Sequence, residues 1–438
     1  MSVVVLGGGS TGEAFAGALR RYDAEVSITI VERELLGGEC SFWACMPSKT
    51  LLRAPEAVAE ARRAPGAEEA VTGALDRGRI FWWRDQVVEG LDDQGHERWL
   101  VERGVEVVRA TGRVAAPGRV DADGRELAYD KLVVATGSSP SVPPVAGLEE
   151  TPYWTNREAT TGNEIPESLL VLGAGAVGCE LAQFFARVGS RVTLLDVVER
   201  VLPRDDPDAA ALLQEQLEEE GVELRLGTHV ERVERGVRLH LGGGETLDGE
   251  RLLVATGRRP NAHGLGLERL GVRIGKQGIE VDERLRAAEN VWAAGDVTGV
   301  AMFTHVGKYQ GRVAAADVAG RDVRADYRAI PAVTFTDPQV ASVGTTSGDG
   351  LVAARWRLPA RLSTYERPRR DGFLKLFADR ERRVLVGAVA VGPEAGEWLQ
   401  QLTLAIRANV SVDVLRETIQ PYPTFSEAVY FAARELDL

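Results

Sequence analysis

An apolar run leading into Gly-x-Gly-x-x-Gly occurs twice in this 438-residue chain. The first copy reads Val3-Val-Val-Leu-Gly7-Gly-Gly9-Ser-Thr-Gly12, and the second Leu169-Leu-Val-Leu-Gly173-Ala-Gly175-Ala-Val-Gly178. A helical stretch follows each, and an acid closes the next strand: Glu32, 20 residues after Gly12, and Asp196, 18 after Gly178. Each copy later has an apolar strand ending in Ala-Thr-Gly, at Thr136-Gly137 and at Gly257. A strand, a glycine turn and a helix in succession build a parallel sheet with crossover helices. The glycines permit the tight turn and let backbone approach a pyrophosphate at the helix N-terminus, while the acid accepts from a ribose hydroxyl.

Two such units in one chain predict an α/β protein with two Rossmann-like dinucleotide-binding domains. Two dinucleotides point to a flavin, at Gly7, Gly9, Gly12, Glu32, Thr136 and Gly137, and a nicotinamide, at Gly173, Gly175, Gly178, Asp196 and Gly257. Asp196 repels a 2′-phosphate and so favours NADH over NADPH, with Arg200 and Arg204 leaving the phosphate open as the alternative. Residues 329–438 lack the fingerprint. They read as strands at Ala332 to Phe335, Phe373 to Phe377 and Val384 to Val391, then a long helix from about 394 to 408, an α+β domain.

Composition removes other classes. No apolar run approaches the ~18 residues of a membrane span, and no leader is expected ahead of the first strand. The net charge of −13, without a basic tract, argues against nucleic acid or anionic membranes as partners. Three cysteines are no secreted disulfide framework, so a reducing, cytoplasmic setting is expected.

Two of those cysteines stand close together, in Gly37-Gly-Glu-Cys40-Ser-Phe-Trp-Ala-Cys45-Met-Pro47-Ser-Lys49. Pro47 suits the first position of a helix running from Ser48 to Arg63, with Met46 extended before it. A thiol at a helix N-terminus has a lowered pKa, which makes a reversible Cys40–Cys45 disulfide chemically reasonable. The alternatives are two small buried hydrophobes, or a metal site, for which no further Cys or His cluster lies nearby. No metal is expected. Cys179, after a fingerprint glycine, reads as packing.

Cys-x4-Cys-x-Pro-Ser-Lys after Gly-Gly, together with the two fingerprints, resembles the class I flavoprotein disulfide reductases. This family includes dihydrolipoyl dehydrogenase, glutathione reductase, mercuric reductase and soluble transhydrogenase. The resemblance extends to Gly295-Asp296, similar to a second flavin motif whose aspartate holds the ribityl chain, and to Ile330-Pro-Ala-Val-Thr-Phe-Thr-Asp-Pro338, similar to the start of a dimerisation domain. It implies FAD-dependent NAD(P)H oxidoreductase activity, with Cys45 facing the flavin and Cys40 exchanging with a small-molecule electron acceptor. It also implies a Lys49–Glu180 ion pair beside flavin N5, where a lysine stabilises negative charge on the reduced ring. His305, in Phe303-Thr-His-Val-Gly-Lys-Tyr-Gln310, matches the start of a helix near the flavin pyrimidine. The implied domains are 1–152 with 283–328 for FAD, 153–282 for NAD(P) and 329–438 for dimerisation. A homodimer follows, with Tyr422 and Glu427 reaching the partner's site.

The chain departs from the family's dithiol-reducing members at Gln420-Pro-Tyr422-Pro423-Thr-Phe-Ser-Glu427, where tyrosine takes the place of the catalytic histidine. Tyrosine, with a free pKa near ~10, donates a proton readily but is a poor base at neutral pH. Mercuric reductases and soluble transhydrogenases show a similar tyrosine. No counterpart of the former's C-terminal cysteine pair is expected, however, and the Cys40–Cys45 pair keeps the second active-site cysteine that typical transhydrogenases lack. Mercuric-reductase-like metal reduction, direct NAD(P)H:quinone (diaphorase) or transhydrogenase activity, and a flavin-based redox sensor with negligible turnover are the alternatives. Two further departures are Trp43, between the cysteines, and Trp82-Trp83, in a helical stretch from Arg79 to Glu89 where core or interface burial is expected.

Overall fold

The structure, a computed structural model, describes residues 1–358, 361, 363, 364 and 372–438. The chain divides into two compact units. The first comprises Met1–Pro47, Trp82–Ser141 and Gly257–Asp326. Its centre is a six-stranded sheet in the order Arg286–Ala288, Val291–Ala293, Lys131–Val134, Ser2–Leu6, Ser27–Glu32, Val105–Arg109, parallel except for the first strand.

Alternation along these strands feeds two cores. Val3, Val5, Ile28, Ile30 and Val133 face a layer holding Phe15, Leu19, Val313 and Ala314 of helices Ser10–Tyr22 and Thr304–Val318. Val4, Leu6, Val31, Leu132 and Val134 face the opposite layer, with Val114, Val120 and Leu127 of a small antiparallel sheet. Burial on both faces is why the strands read as unbroken apolar runs. The two helices cross closely: a Cβ at Gly311 would lie 2.8 Å from the Thr11 carbonyl oxygen.

The second unit comprises Ser48–Phe81, Val142–Thr256 and Tyr327–Leu438. It holds a parallel sheet in the order Glu223–Arg225, Arg191–Leu195, Ser168–Leu172, Arg251–Val254, covered by Ala176–Arg187 and Pro207–Glu219. Its C-terminal part is a five-stranded antiparallel sheet in the order Pro331–Thr334, Gln339–Gly344, Val384–Gly392, Phe373–Asp379, Leu351–Arg357.

Several expected boundaries shift. Residues 257–282, assigned by sequence to the second nucleotide domain, pack in the first unit. There Arg258–Pro260 pairs with Ser138–Pro140, and Ala262, Leu267, Val272 and Ile279 join the core around Val114. The 138–152 linker divides at Ser141, because Leu148 is buried in the second unit, with Val142 and Val145 packed against the same cluster. The helix holding Pro47 begins at Cys45 and runs to Arg63. Met46 is therefore helical rather than extended, and Pro47 sits in the first turn, where its missing N–H has no intrahelical partner to lose. The expected helix over 394–408 is two pieces, Ala395–Trp398 and Gln400–Arg407, joined at buried Leu399. Trp82 and Trp83, on helix Arg77–Val87, are both exposed on this chain, so they are not core residues.

Candidate functional site

The two glycine loops solve the same steric problem. In the first unit Gly7 adopts φ +105°, and a Cβ there would lie 2.3 Å from the Ala135 carbonyl oxygen. A Cβ at Gly12 would lie 2.1 Å from the Gly7 carbonyl oxygen. A Cβ at Gly9, the residue capping helix Ser10–Tyr22, would meet only the Gly38 Cα, at 3.8 Å. Space over the middle glycine and uncapped N–H groups behind it form a phosphate cradle. Glu32 braces the loop, accepting from the Gly8 N–H at 2.6 Å and the Glu34 N–H at 2.8 Å.

Thr136 donates to the Asn261 carbonyl at 2.7 Å and accepts at its own carbonyl from Asn261 Nδ2 at 3.0 Å, fixing the loop that ends at Gly137. A cleft of about 310 Å³ opens here, lined by Gly7, Glu32, Thr111, Thr136, Asn261 and His263 among others. The open cradle, the strand-end acid and this cleft fit a dinucleotide. Gly295-Asp296 and the helix starting at Thr304 converge on the same loop: Cβ atoms at Gly295 and Gly307 would fall 2.6 and 2.3 Å from Thr11 Oγ1. His305, the second residue of that helix, is exposed and its ring stacks on Phe303.

Both cysteines are half-buried and belong to the first unit. Cys40 lies on the short helix Gly38–Phe42, and Cys45 opens the next helix. Cys45 Sγ is 3.4 Å from Thr304 Oγ1. The Cys40 thiol is pushed strongly up, first by its hydrogen bond to Cys45 and then by burial, with Thr304 and Lys308 opposing. The two thiols therefore stand within hydrogen-bonding reach of each other. Trp43, between them, packs edge-on against Phe42.

In the second unit the fingerprint repeats almost atom for atom. Gly173 has φ +109°, and a Cβ there would meet the Ala255 oxygen at 2.4 Å; one at Gly178 would meet the Gly173 oxygen at 1.8 Å. A Cβ at Gly175 would meet nothing within 4 Å. Asp196 accepts from the Ala174 N–H at 2.7 Å and the Val198 N–H at 3.2 Å. Gly257, expected with this loop, belongs instead to the first unit, where its carbonyl accepts from the Ser141 N–H at 2.8 Å.

The same unit holds the ion pair. Lys49 donates to Glu180 Oε2 at 2.7 Å, and Glu180 Oε1 accepts from the Phe335 N–H at 2.8 Å. Glu180 is buried; the lysine is partly open and lies over the Phe335 ring. Tyr422 is 77% exposed, and Glu427 opens helix Glu427–Arg434, with burial pushing its carboxyl up. Cys179 is fully buried and donates to the Ala174 carbonyl, a packing role.

Sequence reading missed Ser138, Arg258, Asn261 and Thr304. Arg258 directly follows the second Ala-Thr-Gly, but nothing local reveals that it folds back onto Ser138 and Asp296. Among the described residues there is no cluster able to hold a metal ion, and no helix long and apolar enough to cross a membrane.

Two glycine cradles, each with its strand-end acid, and a hydrogen-bonded cysteine pair define a nucleotide-dependent thiol–disulfide oxidoreductase. Comparison with known proteins gives the family. Residues 1–319 match the model for pyridine nucleotide-disulphide oxidoreductases, and residues 330–433 that of the family's dimerisation domain. The chain is 36% identical to a mercuric reductase of Acidithiobacillus ferrooxidans, over 97% of this chain and 81% of that protein. It is 34% identical to a dihydrolipoyl dehydrogenase of Thermus scotoductus, over 99% and 97%. The crystal structure of LpdA from Mycobacterium tuberculosis matches with a TM-score of 0.89 at 30% identity, covering 99% of both chains. The chain belongs to the pyridine nucleotide-disulphide oxidoreductases, enzymes that use FAD and a pyridine nucleotide.

Proposed function

We propose that the chain is an NADH-preferring enzyme that passes electrons through a Cys40–Cys45 disulfide to a small acceptor. The carrying observation is that Cys40 and Cys45 stand within hydrogen-bonding reach of each other. FAD, when bound, supplies the two-electron link between the nicotinamide and the cysteines. A hydride brings two electrons and one proton, enough to convert a disulfide into one thiol and one thiolate. Cys40 is the thiol that exchanges with the acceptor, and Cys45, at the helix N-terminus beside Thr304, is the thiolate on the flavin side. Lys49, oriented by Glu180, is the cation for flavin N5, and Asp296 the acceptor for the ribityl chain.

NADH is favoured because Asp196 closes the second loop, while Arg200 donates to the Pro203 carbonyl at 2.8 Å. The match to a dimerisation domain supports a homodimer, in which Tyr422 and Glu427, exposed and half-buried in the single chain, serve the partner's site. Tyr422 in the histidine position and the resemblance to mercuric reductases favour a soft metal ion as the second acceptor class to test.

Anaerobic titration of the flavin-loaded protein with NADH tests the proposal. We expect a long-wavelength thiolate–flavin band after two electrons, absent in Cys45→Ser, and loss of acceptor reduction in Cys40→Ser. A protein that takes up two electrons without that band, or a Cys40→Ser variant with full turnover on lipoamide, glutathione disulfide and Hg(II), would refute the dithiol route.

A further inference from the structure

Asp296 does not stand alone in the first unit. Its Oδ2 accepts from the Ser138 hydroxyl at 2.6 Å, and Ser138 Oγ in turn accepts from Arg258 Nε at 2.7 Å. A second Arg258 nitrogen donates to the Ser138 carbonyl at 2.9 Å, so the guanidinium grips this serine with two hydrogen bonds. Pairing of Ser138–Pro140 with Arg258–Pro260 brings the two residues face to face. The same guanidinium lies 4.0 Å from Asp296 and 3.8 Å from Glu39, the residue before the exchange cysteine. One cation therefore serves two carboxylates in a part-buried site, where ion pairs act more strongly than in water.

We propose that Arg258 is a positioning residue for the flavin: through Ser138 it orients the Asp296 carboxylate toward the ribityl chain, and its charge offsets the repulsion between Asp296 and Glu39. This rests on the reading of Asp296 as the ribityl acceptor. Three groups face that carboxylate. Burial pushes it up, Ser138 and Arg258 pull it down, and Glu39 pushes it up again. A protonated Asp296 loses acceptor capacity, so acidification should release FAD, and the pH of release reports the balance of these charges. Glu39 opposes Arg258 in that balance, which makes the two residues a testable pair.

The experiment follows the rise in FAD fluorescence as flavin-loaded wild type, Arg258→Gln, Glu39→Gln and the double variant are acidified stepwise. Arg258→Gln should release FAD at a pH higher by about one unit, Glu39→Gln at a lower pH, and the double variant should return toward wild type. Arg258→Lys keeps the charge without the two-pronged grip and should fall between wild type and Arg258→Gln; it carries the test if the glutamine variant does not fold. Release of FAD from these Arg258 variants at the wild-type pH, or no effect of Glu39→Gln in the Arg258→Gln background, would overturn the inference while leaving the flavin site standing. A wild-type protein that binds no FAD would overturn the reading beneath it as well.

Discussion

The Gly7–Gly12 loop of the first unit and the Gly173–Gly178 loop of the second are built alike, down to an acid that accepts from the residue after the first glycine and from the one two places beyond itself. Their surroundings differ. Gly9 is bridged to Gly37, next to the cysteine helix, and a cleft opens beyond Glu32. Gly175 has open space, and its unit carries the Asp337 ion network instead. Backbone geometry thus sets the capacity to hold a dinucleotide, while neighbouring segments set which dinucleotide and what chemistry follows.

The comparison breaks most visibly at its closest contacts. Gly178→Val places a Cβ 1.8 Å from backbone, and Gly12→Val one at 2.1 Å; neither backbone can give way without moving a strand. Stopped-flow reduction by NADH should slow at least about 100-fold in Gly178→Val while the protein stays yellow, whereas Gly12→Val should lose its flavin. If both variants lose flavin together, the two loops do not hold separate ligands.

The Asp337 network of the second unit should also be acid-sensitive. Burial would push the Asp337 carboxyl up, but Arg187 and Arg63 outweigh it and hold the carboxyl below its ordinary value. An acid held low stabilises the fold above its unfolded pKa of about 4 and loses that contribution as pH falls through the native value. Asp337→Asn should cost about 3 kcal/mol at neutral pH in chemical denaturation and flatten the acid limb of the stability curve. An unchanged acid limb would show that the network is not the sensitive element.

The smallest effect should come from the strand-end acid. Asp196→Ser should shift the NADH/NADPH preference toward NADPH by about tenfold, roughly 1.4 kcal/mol, with flavin content unchanged. A preference that stays put would assign selectivity to Arg200 and Arg204.

The sequence by itself determined the two nucleotide-binding loops, the strand-end acids and the cysteine spacing, because a steric demand for glycine and a strand–turn–helix register are local properties written over a few dozen residues. It misplaced residues 257–282 and did not reveal the Arg258–Ser138–Asp296 chain or the Thr304 contact with Cys45. Only the tertiary structure decided these. They join residues more than a hundred positions apart, and which edge a short strand such as Arg258–Pro260 pairs with depends on the core it can complete, not on its own three residues.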